Sequence, residues 1–149
     1  VGRAIGARHG ETVRRAMRLT TVWAVGTAVI MVVVLWSFGT YFIDALTVVA
    51  EARSAARRFL PWAALAPILG VWSFQLDGIF IGATRSREMR NAMLAASAIY
   101  LFAWWLLTPF GNHGLWAALW VSYFARAGTL ACYLPRLMSF DAKKTIQAR

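Results

Sequence analysis

The sequence predicts an all-α fold, a polytopic integral membrane bundle, and three observations predict it. Hydrophobic residues make up 60% of the 149-residue chain against 15% charged, and the apolar residues fall in long blocks rather than alternating with polar ones, as in membrane-spanning helices. Four blocks reach or approach the ~20 mostly apolar residues that a helix needs to cross a bilayer. The basic residues stand between the blocks and are unevenly divided, as they are across a membrane. The formal net charge of +10 therefore points to anionic lipid headgroups, not to nucleic acid, which would need a basic face on a soluble domain.

Along the chain, a basic segment over 1–18 precedes a first span over about 19–43. The connection from Asp44 to Arg58 has helix-forming composition without Gly or Pro, and predicts a short interfacial helix. The second span covers about 59–83. Pro61 suits its first turn, whereas Pro67 lies inside it and leaves the Ala63 carbonyl without its helical donor, so a bend is expected there. The third span, about 93–109, is the shortest and could start one turn earlier at Arg90. The fourth covers about 114–134, and a tail occupies 135–149. Pro109 and Pro135 mark the ends of the third and fourth spans.

Arg3, Arg8, Arg14, Arg15 and Arg18 precede the first span, Arg85, Arg87 and Arg90 lie between the second and third, and Arg136, Lys143, Lys144 and Arg149 follow the fourth. The other side holds only Arg53, Arg57 and Arg58. This asymmetry puts both ends of the chain and the Arg85–Arg90 loop in the cytoplasm of a multi-pass plasma (inner) membrane protein. The chain opens on Val1 with no signal-peptide pattern, which reads as the C-terminal piece of something longer.

Asp77 is the most informative residue. A carboxylate inside a span costs at least ~2.5 kcal/mol on insertion scales, so it faces a water-filled cavity or a partner and tends to mark an ion or proton pathway. Ala66, Gly70, Ser73, Phe74, Phe80, Ile81 and Thr84 share its helical face. Small residues there allow close helix approach or leave room for a ligand, and Phe74 and Phe80 could meet an organic cation through their ring faces. The alternative is a packing face on which the acid bonds a neighbouring helix. Gln75 stands about 200° around the helix from Asp77, so the two cannot share a narrow face, and an interhelical hydrogen bond is the simpler reading of Gln75. Arg126 is the only base within a span. It lies about 15 Å along its helix from Arg136, and Asp77 about 12 Å from Arg85, so acid and base sit at similar depth. They either pair, or Arg126 snorkels toward headgroups.

Other polar and aromatic features have plainer readings. Arg85-Ser-Arg-Glu-Met-Arg90 is a solvated loop that sets orientation or takes part in gating. His113 reads as a turn residue, His9 carries no signal, and Trp104, Trp105, Trp116 and Trp120 form an interfacial aromatic belt. Cys132 excludes an internal disulfide and a multi-cysteine metal site. There is no phosphate-cradling loop, metal-ligand cluster or nucleophile–histidine–acid set in the sequence, so an enzyme is not expected.

The run from Pro67 to Met93, with Gln75-Leu-Asp-Gly-Ile-Phe-Ile-Gly82 and Arg85 at its centre, resembles the tenth helix and following loop of the multidrug and toxic compound extrusion (MATE) family, DinF-like branch. Gly111-Asn-His-Gly-Leu-Trp116 is similar to that family's turn into the twelfth helix, and Val1-Gly-Arg-Ala-Ile-Gly-Ala7 to the end of the second helix of a six-helix lobe. The resemblance covers the whole chain as helices nine to twelve. It implies part of the C-terminal six-helix lobe of a twelve-helix antiporter that exchanges H⁺ or Na⁺ for organic, often cationic compounds, without a further cofactor, and whose N-terminal lobe is a partner on the same chain. Asp77 matches an acidic position implicated in cation binding, and Gly82 and Arg85 match the Gly-x-x-Arg that follows. Ser86 departs from the usual glycine. Because the main coupling acid of DinF-like members is placed in the first lobe, the resemblance implies a modulating role for Asp77. A lipid-linked-oligosaccharide flippase of the same superfamily, or a non-transporting four-helix membrane subunit, are the alternatives.

Overall fold

The computed structural model describes residues 10–147, with side chains from 11 to 135. The Val1–Ala7 segment, Arg3, Arg8, His9 and Arg149 lie outside the described residues, as do the side chains of Arg136, Lys143 and Lys144. The described residues are helical almost throughout: α1 (Gly10–Leu46), α2 (Ala50–Gly82), α3 (Ser86–Leu107), a 3-10 turn (Thr108–Phe110) and α4 (Gly111–Gln147). Among the described residues, three helical stretches are long and apolar enough to cross a membrane: Glu11–Leu46, Ala50–Gly82 and Ser86–Pro135. The third contains α3, the 3-10 turn and most of α4, folded back on itself, since Ala92 near the start of α3 packs on Leu130 far along α4.

The α1–α2 reversal takes only Thr47-Val48-Val49 and corrects the expectation of an interfacial helix over 44–58. Residues 50–58 are the first turns of α2, continuous with the span that follows. Arg53 makes the tight reversal possible without glycine. Its Nε donates to the Thr47 carbonyl at 2.7 Å and its Nη2 to the Asp44 carbonyl at 2.9 Å, satisfying carbonyls that the end of α1 leaves without helical donors. Arg57 Nη2 lies 2.7 Å from both carboxylate oxygens of Asp44. Pro61 accordingly sits inside α2 rather than in its first turn.

At its other end α2 closes in a Schellman motif. Thr84 N–H donates to the Ile81 carbonyl and Arg85 N–H to the Phe80 carbonyl, both at 3.0 Å. The left-handed position, usually glycine, is held by Thr84 at φ 56°. The helix α3 then begins at Ser86, two turns before the expected start of the third span, and Arg85 Nη1 pairs with Glu88 at 2.9 Å. Between α3 and α4, Gly111 adopts φ 56°, and a Cβ on Gly114 would collide with the Leu107 carbonyl oxygen. The two glycines of Gly-Asn-His-Gly thus serve backbone conformation and close approach, respectively. Pro135 does not end α4, which continues through it to Gln147, so the expected tail is largely helical.

In the packing, α2 is central: α1 covers one side, α4 the other, and α3 packs chiefly on α4. Phe80, Ala92 and Leu130 form a buried cluster where α2, α3 and α4 meet, flanked by Leu76, Tyr133 and Leu134. By contrast, α1 presents Val22, Trp23, Ile30, Val33 and Trp36 outward. A helix apolar on all sides belongs in lipid or against further helices.

Candidate functional site

The α2–α4 seam is lined from α2 by Gly70, Ser73, Asp77 and Phe80, all buried, at the three- and four-residue spacing of one helix face. At its centre, Arg126 grips Asp77 in a two-pronged ion pair. Nε lies 3.2 Å from Oδ1 and Nη2 2.7 Å from Oδ2. The Asp77 side chain is 11% exposed and that of Arg126 27%. The planar guanidinium matches both carboxylate oxygens at once, which fixes direction as well as distance. Of the two readings open for Arg126, the structure takes the pair.

The pair is held from both ends. One turn before Asp77, the Ser73 hydroxyl donates to the Tyr123 carbonyl of α4 at 3.1 Å, pinning the helices at that depth. One turn after it, Phe80 and Leu130 are buried against each other. Phe80 is therefore core, shut away from any groove, and cannot offer its ring to a ligand. Nothing in the sequence singled out Ser73 beyond its place on the Asp77 face, because a serine inside a helix carries no mark of its partner.

Gln75 faces the opposite way. Its Nε2 donates to the Thr20 hydroxyl at 2.7 Å and to the Thr21 hydroxyl at 3.1 Å, tying α2 to α1. On the same flank, an open groove of about 720 Å³ is lined by Trp23, Thr27, Met31, Phe74, Gln75 and Tyr123 among others. Phe74 is 58% exposed and its ring lies 6.0 Å from that of Tyr123. Asp77 and Arg126 do not line this groove. Tyr123 joins the two regions, its side chain in the groove and its carbonyl in the seam. Of the residues singled out from the sequence, Asp77 and Arg126 thus come together, Phe74 lies on the adjoining groove, Phe80 in the core, and Arg85 at the far end of α2 on Glu88.

Toward the opposite end of α2, Trp62 Nε1 donates to His113 Nδ1 at 3.1 Å. The His113 ring is 5.0 Å from Phe59, and Trp62 is 4.4 Å from Trp120. His113 and Trp120 are therefore parts of an α2–α4 contact, beyond the turn and belt roles expected of them, whereas Trp104 and Trp105 stay exposed on α3. Trp120 Nε1 is buried without a hydrogen-bond partner. Among the described residues, no cluster of three or more His, Cys, Asp or Glu could hold a metal ion.

A family model, MatE, matches residues 1–106. The chain belongs to the MatE family. Within curated proteins, it is 38% identical over 130 residues to the DNA damage-inducible protein F of Escherichia coli (strain K12). That match covers 87% of this chain and 28% of the relative, so the chain spans little more than a quarter of the protein it resembles. No solved structure matches it significantly. MatE proteins of this DinF-like kind are transporters, not enzymes, and the apolar helices fit a membrane-embedded segment of one.

Proposed function

We propose that this chain forms part of the C-terminal six-helix lobe of a multidrug efflux antiporter, which exports organic, mainly cationic compounds in exchange for H⁺ or Na⁺. The observation that carries this reading is the Asp77–Arg126 pair, a costly arrangement within membrane-length helices that joins, through Tyr123, an open aromatic groove. Intramembrane acids and bases that pair with each other mark transport pathways. The groove offers Trp23, Phe74 and Tyr123 as ring faces to an organic cation.

In this reading, a charge change at Asp77 loosens its hold on Arg126 and so alters the α2–α4 seam. That biases the lobe between its inward-open and outward-open arrangements, since an ion shifts such an equilibrium only by binding its two states unequally. Asp77 acts as a modulator in the second lobe, and the N-terminal lobe of the intact protein supplies the other wall of the pathway. The Arg85–Arg90 stretch, where α2 gives way to the start of α3, and both ends of this segment lie at the cytoplasmic face of the plasma membrane, by the excess of basic residues there.

The test uses the intact protein in energised vesicles loaded with a fluorescent organic cation. Asp77→Asn is expected to lower ion-coupled efflux about ten-fold, equivalent to ~1.4 kcal/mol. Unchanged efflux would remove Asp77 from the mechanism. Transport of lipid-linked oligosaccharide with no dye efflux would replace the antiporter by a flippase.

A further inference from the structure

We infer that Arg126 is the resident cation of the Asp77 site, and that by occupying both carboxylate oxygens it excludes Na⁺ from this acid. The inference rests on the transporter reading above and adds to it a residue that sets which cation the second lobe can accept.

A sodium ion in a membrane protein is held by oxygen atoms, from carboxylates and backbone carbonyls, that replace its water. Within the described segment both oxygens of the Asp77 carboxylate already face a cation, since Oδ1 and Oδ2 each accept from a different nitrogen of one guanidinium. The neighbouring Ser73 hydroxyl gives its proton to the Tyr123 carbonyl. Below the pair, Phe80 and Leu130 are fully buried, leaving an apolar floor where further ligands would have to stand. Arg126 is covalently tethered, so its local concentration at the carboxylate far exceeds that of any ion in solution. To bind there, Na⁺ must displace a two-pronged, partly desolvated pair and leave an arginine without its counter-ion inside the span, which disfavours the exchange. A proton delivered to one carboxylate oxygen needs no such ligand shell. Arg126 is therefore a specificity-determining residue, acting on the ion through Asp77.

The experiment measures Na⁺ binding directly, by radioactive Na⁺ retention on the purified, intact transporter in lipid nanodiscs, and needs no transport to be read. Wild type is expected to show no Na⁺ binding that Asp77→Asn abolishes. Arg126→Gln should uncover such binding, with Na⁺ affinity raised about ten-fold or more, and Asp77→Asn combined with Arg126→Gln should lose it again. Arg126→Lys, which keeps the charge, should keep Na⁺ out. Asp77-dependent Na⁺ binding by wild type overturns the inference, as does a folded Arg126→Gln protein that gains none. If Arg126→Gln does not fold, Arg126→Met, which removes the charge with an apolar side chain of similar reach, takes its place. Failure of wild type to export organic cations would count against the transporter reading alone, because the Na⁺ measurement stands apart from efflux.

Discussion

Removing either member of the Asp77–Arg126 pair should have unequal consequences, and the inequality can be worked out from the geometry. With the two charge centres about 4 Å apart, their attraction at a surface-like effective dielectric is ~4 kcal/mol, and stripping one partner from a buried pair costs ~3–5 kcal/mol because the other charge is left behind. The two residues differ in how well they tolerate that. Arg126 is more exposed, at 27% against 11% for Asp77, and its long side chain can carry the charge toward headgroups. Asp77 is short and hemmed in by Ser73 and Phe80, both fully or nearly fully buried. Asp77→Asn should thus cost ~1–2 kcal/mol, and Arg126→Gln ~3 kcal/mol or more. The double substitution leaves no stranded charge and should cost ~2 kcal/mol less than the sum of the singles. Reversible unfolding of the intact protein in mixed micelles measures all three. Additivity within ~0.5 kcal/mol, or a larger penalty for Asp77→Asn than for Arg126→Gln, would refute the reasoning.

Two turns provide further expectations. Thr84 holds a left-handed conformation at φ 56°, which opposes its Cβ, so Thr84→Gly should stabilise the α2–α3 turn by ~0.5–1 kcal/mol; a lower thermal midpoint would show that the Thr84 hydroxyl bond to the Ala83 carbonyl outweighs the backbone strain. Gly114→Ala places a methyl group on the Leu107 carbonyl, where backbone must give way, and should destabilise the α3–α4 hairpin by ~2 kcal/mol or more, read as a lower midpoint in the same unfolding assay.

The reach of the sequence depended on the kind of constraint. Depth along a helix is a matter of counting residues, so the common level of Asp77 and Arg126 was legible once each was measured from the basic residues that follow it, while the choice between pairing and snorkelling was not. Angle around a helix was legible too, and the separation of Gln75 from Asp77 appears as bonds to two different helices. What resisted reading were contacts supplied from elsewhere in the chain. The Thr47–Val49 reversal has no Gly or Pro because Arg53, from the next helix, satisfies the free carbonyls; composition alone therefore suggested an isolated helix over 44–58. Phe80 shares a face with Asp77, but only the approach of Ala92 and Leu130 turns that face into core. Pro135 was expected to end its helix, yet α4 runs through it to Gln147.

The position of Gln75 and Asp77, two residues apart on α2 yet bonded to α1 and α4 respectively, has a mechanical consequence. A roll of α2 about its own axis that relaxed one attachment would pull on the other, and a slide by even one residue, about 1.5 Å, would strain both sets of bonds. The helix behaves as an axle keyed on opposite sides. These attachments favour a swing of α1, α2 and α4 together, and under the proposed mechanism a change in charge at Asp77 would withdraw one of the keys.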